Sequence, residues 1–140
     1  MLRKAECEVE MGNMWSALSK KVIEHFSNPK NVGEIKNPDG IGHVGDPSWG
    51  IDLELYIRVE NNTIIDTKFK AFGCAVTIAT SSMISEMLKG KSIEQALSIS
   101  DREIAEALDG LPPPKMHCAE LGRELVKSAI DDFLSKQSLF

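Results

Sequence analysis

Three side chains carry most of the chemistry this sequence offers: Cys74, His117 and Cys118. Thiolates are nucleophiles and soft metal ligands, and imidazole suits the same borderline metals. Cys74 follows Gly73, where a strand pattern gives way to a helical one. A helix N-terminus favours negative charge and lowers the pKa of a thiol placed there. Cys118 shares that advantage, in the first turn of the last predicted helix just after Pro112-Pro113-Pro114. His117 adjoins it. Helical neighbours diverge by about 100°, yet at a helix start both side chains can reach one site. A free cysteine also behaves as a small hydrophobe and is among the most buried residue types. Cys118 continues an apolar stripe, so spacing alone leaves plain core burial open for both cysteines. His25 and His43 stand isolated and read as surface or loop residues. Met83 and Met87 read as core, and Lys89 to Lys91 as a solvated helix end.

The elements that position these residues must fit in 140 residues, one domain's worth. The first 13 residues are polar and aperiodic, which predicts an extension at 1–13 and a domain over 14–140. Cys7 lies in that extension and receives no role. Three cysteines in all do not make a disulfide framework, which points to a reducing, cytoplasmic setting. Sixteen Lys and Arg against 21 Asp and Glu leave a formal net charge of −5. That balance argues against nonspecific nucleic-acid binding, which needs a basic footprint. No apolar run approaches the roughly 20 residues that span a bilayer, so no membrane partner is expected.

Leu18, Val22 and Phe26 recur at a spacing of four and predict a first helix over about 15–26, ended by Asn28-Pro29. Residues 28–50, rich in Gly, Pro and Asn, predict a long ordered loop with one short strand near 42–45. Ile51, Leu53, Leu55, Ile57 and Val59 alternate with polar residues and predict a half-buried strand. A second strand over about 64–72 carries Ile65, Thr67, Phe69 and Ala71 on one face. A three-residue loop, 61–63, makes the two apolar faces coincide by pairing Val59 with Ile65, Ile57 with Thr67, Leu55 with Phe69 and Leu53 with Ala71. Extended to the open end, that register sets Gly50 opposite Cys74. The period then becomes helical: Val76, Ala79, Met83 and Met87 form a stripe that ends at Lys89-Gly90. Ser92 with Gln95 and Ser100 with Glu103 mark two short helices. A last helix over about 116–134 presents Cys118, Gly122, Leu125, Ala129 and Phe133. The predicted fold class is α+β, a small antiparallel sheet of about three strands with helices packed on one face and a long C-terminal helix.

Three stretches carry a resemblance: Asn28-Pro29-Lys30-Asn31-Val32-Gly33, Phe69 to Ala75 continuing into Ile78-Ala79-Thr80-Ser81-Ser82, and Leu111-Pro112-Pro113-Pro114-Lys115-Met116-His117-Cys118. In this order they resemble the IscU/NifU N-terminal family of iron–sulfur cluster assembly scaffolds, and the similarity runs from about Trp15 to Phe133. The resemblance implies a non-enzymatic scaffold with Cys74, His117 and Cys118 as ligands of iron or a [2Fe–2S] cluster. It also implies Cys118 as the sulfur acceptor, a cysteine desulfurase as partner, and apo iron–sulfur proteins as recipients. The family pattern has a further cysteine and an aspartate in a Pro-x-Cys-Gly-Asp motif. Here Trp49 and Ile51 occupy those positions, in Pro47-Ser48-Trp49-Gly50-Ile51. Strand alternation puts Asp52 on the opposite face from Ile51, so it is a poor replacement. Trp49 is expected to cover the site beside Cys74.

Three readings follow from this departure. The first is a divergent scaffold, its coordination completed by pairing into a homo-oligomer. The second is a non-assembling regulatory module that holds zinc or no metal. The third is a metal-free sulfur relay through Cys118.

Overall fold

The alternation over Ile51–Glu60 (β2) forms the centre of a three-stranded antiparallel sheet in a computed structural model that describes residues 18–46, 48 and 50–137. Gly40–Asp46 (β1) and Thr63–Phe72 (β3) flank it in the order β1-β2-β3. Ile51, Leu53, Leu55 and Ile57 are buried, whereas Asp52, Glu54, Tyr56 and Arg58 face outward. Among the described residues there are five α-helices: α1 (Lys20–Ser27), α2 (Ala75–Leu88), α3 (Ile93–Leu97), α4 (Asp101–Ala107) and α5 (Met116–Gln137). The apolar face of the sheet packs against α2 and α5, with α3 and α4 closing the core behind them. The expected α+β architecture is therefore observed. The first helix begins at Lys20, because Ser19 caps it by accepting the Val22 N–H at 3.1 Å. Residues 1–17 lie outside the described residues, and with them the expected 1–13 extension, Trp15 and Cys7.

The hairpin corrects one expectation. Leu53–Ala71, Leu55–Phe69 and Ile57–Thr67 pair as predicted, but Val59 pairs with Ile64 and Glu60 with Thr63. The turn has two residues, Asn61 and Asn62, both with positive φ (52° and 63°). That geometry matches the twist of the flanking strands, and asparagine tolerates it. A bulge between Arg58 and Val59 absorbs the odd residue, so Ile64 is buried and Ile65 is 46% exposed.

Helix α2 is buried almost all round rather than along one stripe: Thr77, Thr80, Ser81, Ser82 and Ser85 are as buried as its apolar residues. The helix can be polar inside because most of these hydroxyls find partners. Ser81 donates to the Thr77 carbonyl at 3.0 Å and Ser85 to that of Ser82 at 2.6 Å. The Lys30 N–H donates to Ser82 Oγ at 2.8 Å, and the Asn31 amide donates to Ser85 Oγ at 2.9 Å. Asn31 and Gly33 also bracket Phe69, with Gly33 N–H to Phe69 O and Phe69 N–H to Asn31 O both at 2.9 Å. The Asn28-to-Gly33 stretch is thus a latch that satisfies α2 and covers the free edge of β3.

His25 is not isolated, because its Nδ1 lies 2.7 Å from Ser82 Oγ. Burial, its largest influence, holds its pKa below the usual 6.5. A histidine whose folded-state pKa is depressed stabilises the fold fully above its unfolded pKa. That stability is lost as pH falls towards the folded value, because the unfolded chain takes up the proton first. Urea denaturation at pH 7.5 and pH 5 is expected to show a smaller acid-side loss for His25→Gln than for the parent protein.

Candidate metal centre

The turn out of β3 places Cys74 at the N-cap of α2, with extended backbone (φ −77°, ψ 170°). Its carbonyl accepts the Ile78 N–H at 3.1 Å, which starts the helix. The thiol makes no capping bond and turns instead to Thr77, Sγ to Oγ1 3.2 Å. Gly73 allows this approach: a Cβ there would press on Thr77 Cγ2 at 3.2 Å.

Cys118 arrives from the other end of the chain. Pro113–Lys115 forms a 3-10 turn that delivers Met116, His117 and Cys118 as the first residues of α5. Cys118 is 1% exposed and lies in a small apolar cluster with Leu18, Val22, Val76, Ala79 and Leu108; Cys74 packs against the same cluster. The Thr77 hydroxyl bridges the two sulfurs, standing 3.6 Å from Cys118 Sγ. His117 Nε2 lies 3.7 Å from Cys118 Sγ, while its Nδ1 lies 3.0 Å from the Pro114 carbonyl oxygen. A carbonyl only accepts, so Nδ1 carries a proton and donates it. In that tautomer Nε2, which faces Cys118, is the ring's acceptor atom. Cys74 and Cys118 thus meet at Thr77, and His117 reaches Cys118.

The two thiols shift each other's ionisation in opposite directions. The hydrogen bond from Cys118 lowers Cys74 to about 4, against the opposing effect of burial, and bonds from Thr77 and the charge of Lys115 assist. Cys118, the donor to that thiolate, is pushed strongly upward by the same bond and by its burial. A thiolate beside a buried thiol and an imidazole is a soft donor set. Sequence reasoning had no place for Thr77. Its signal was a hydroxyl three residues after the capping position, which is where a helix brings a side chain back to its own start.

Of the two departure positions, Trp49 lies outside the described residues, so its expected covering role has no structural account. Ile51 is 6% exposed and belongs to the main core with Leu53 and Leu55. Asp52 faces solvent on the other side of the strand, as alternation required.

A family profile described as the NifU-like N terminal domain matches residues 17–139. The chain belongs to this family. It is 52% identical over 118 residues to the iron–sulfur cluster assembly scaffold protein IscU 1 of Archaeoglobus fulgidus, covering 84% of this chain and 77% of that one. It is 47% identical over 121 residues to the scaffold protein IscU of Aquifex aeolicus, covering 85% and 77%. With the scaffold protein IscU of Escherichia coli K12 it shares 46% over 125 residues, covering 86% and 97%. Among solved structures, the N-terminal part of a NifU-like protein from Brucella abortus superposes with a TM-score of 0.69 at 16% identity, covering 84% of this chain and 94% of that one. A putative scaffold protein for the SUF system from Fervidobacterium islandicum gives 0.64 at 21%, covering 80% and 95%. These two establish the NifU-like fold. Among the described residues, no helix is long and apolar enough to cross a membrane.

Proposed function

We propose that this chain is a scaffold for iron–sulfur cluster assembly rather than an enzyme. It takes sulfur from a cysteine desulfurase, holds iron or a [2Fe–2S] cluster as cargo, and passes it to apo iron–sulfur proteins in a reducing, cytoplasmic setting. The observation that supports this most is the meeting of Cys74 and Cys118 at Thr77, with His117 against Cys118, within a chain whose named relatives are scaffolds. Neither a zinc-holding module nor a metal-free relay finds comparable support in those names.

Sulfur transfer uses the charge of the thiol pair. A scaffold thiolate attacks the terminal sulfur of the desulfurase persulfide. A new S–S bond forms on the scaffold, the old one breaks, and the desulfurase cysteine leaves as thiolate. The resemblance assigns the attack to Cys118, which gains the charge by passing its proton to the Cys74 thiolate through the Thr77 hydroxyl that stands between them. Cys74, Cys118 and His117 then serve as three donors and leave a position open, which pairing of two copies would fill.

Anaerobic incubation with ferrous iron, cysteine, a desulfurase and dithiothreitol, which reduces persulfide sulfur to sulfide, tests the reading. Visible-region absorption should develop, and iron and sulfide should co-elute with the protein. If neither is retained, the scaffold reading fails. Trp49→Cys restores a thiolate at the position where the family pattern has one, and this variant is expected to retain more cluster than the parent under the same conditions.

A further inference from the structure

We infer that His43, Asp52 and Glu54 form a second metal site, for a first-row divalent cation of the Mn2+/Fe2+ class, on the solvent face of the sheet. The β1–β2 register sets His43 directly opposite Glu54, and strand alternation puts Asp52 on the same face two residues earlier. One imidazole nitrogen and two carboxylate oxygens from these residues lie within 4.8 Å of one another. Donors about 2.0–2.2 Å from one ion stand up to about 4.4 Å apart, so a small rotation of exposed side chains closes the set.

The surroundings suit such an ion. Gly45 stands beside the cluster, and a Cβ there would lie 3.4 Å from Asp52 Oδ1 and 3.5 Å from His43 Cε1. The glycine therefore leaves the approach clear. The Tyr56 hydroxyl donates to Glu54 Oε2 at 2.7 Å, which orients that carboxylate and leaves its other oxygen for the cation. Lys70, opposite Glu54 on β3, is hydrogen-bonded to Glu34, and Glu54 acts on it only as a lesser coulombic influence. His43 Nε2 and Asp52 Oδ1 are hydrogen-bonded to each other, and a cation would take the place of the hydrogen between them. The cluster borders an open depression of about 540 Å³ whose lining includes Gly50 and Phe72, with room for waters to complete six-fold coordination.

The chemistry is distinct from that of the thiol centre. Two hard carboxylates with one imidazole favour Mn2+ or Fe2+, whereas the thiols favour soft or borderline ions. The site stands on the solvent face, opposite the helices that carry Cys118, so it does not depend on the scaffold reading. Manganese is the discriminating probe. In an EPR titration of the full-length, chelator-treated protein, added Mn2+ should lose the signal of the free aqua ion as it binds. His43→Ala, Asp52→Asn and Glu54→Gln should each weaken binding by at least about tenfold. These are exposed residues, and an unchanged circular dichroism spectrum would confirm that the variants fold. Retention of the free-ion signal at millimolar Mn2+, or binding that the three substitutions leave unchanged, would overturn the proposal.

Discussion

Cys118→Ala is expected to fold and to lose its cargo. The substitution removes one sulfur from a site that is 1% exposed, so the loss of stability should be modest, about 1 kcal/mol. It also removes the neighbour that lowers the Cys74 pKa most, and the sulfur that Thr77 links to Cys74. Iron and sulfide retained after anaerobic gel filtration should fall by about tenfold or more, while thermal denaturation still shows a cooperative transition. The two readouts separate a ligand from a core residue. A cysteine that merely fills the cluster around Leu18 and Val22 would change stability and leave cargo retention as it was.

Gly42→Val should have the largest effect on stability. At Gly42, α5 lies so close to β1 that a Cβ would come within 2.6 Å of both the Ala129 nitrogen and the Leu125 carbonyl oxygen. Both are backbone atoms of the long helix, and neither can rotate away. The helix would have to lift off the strand and open the main core, at a cost of about 3 kcal/mol or more. For a domain of this size that corresponds to a fall in Tm of about 10 °C, measurable by calorimetry. Gly45→Ala, on the same strand, meets nothing closer than 3.4 Å and should be nearly neutral. The contrast would show that close approach of the helix, not backbone freedom, requires glycine at Gly42.

Much of what positions the thiols is local and was therefore legible. The alternation of β2 puts Ile51 inside and Asp52 outside because successive side chains on a strand point to opposite faces. Ser92 and Ser100 cap α3 and α4 as their sequences imply, since a capping box is closed within four residues. The stripe from Cys118 to Phe133 is buried throughout, as its spacing requires. Cys74 and Cys118 both stand at helix starts, which follows from Gly73 and from the three prolines.

Other features depend on distances between segments far apart in the chain, and no local pattern encodes those. Ile64 and Ile65 are adjacent and equally apolar. Which one enters the core rests on the bulge, and the bulge reconciles a two-residue turn with a register set farther along the ladder. Small polar residues on α2 look like an exposed face until the 28–33 latch supplies their partners. Thr77 becomes a bridge only because α5 brings Cys118 to it from 41 residues away. His43, an isolated histidine in the sequence, gains two carboxylates through pairing of β1 with β2. Residue types and their short-range periods are enough to specify each element and the chemistry it can carry. The convergence of the thiols, and the grouping of His43 with Asp52 and Glu54, arise from packing, because only burial of the shared apolar face holds those elements in one register.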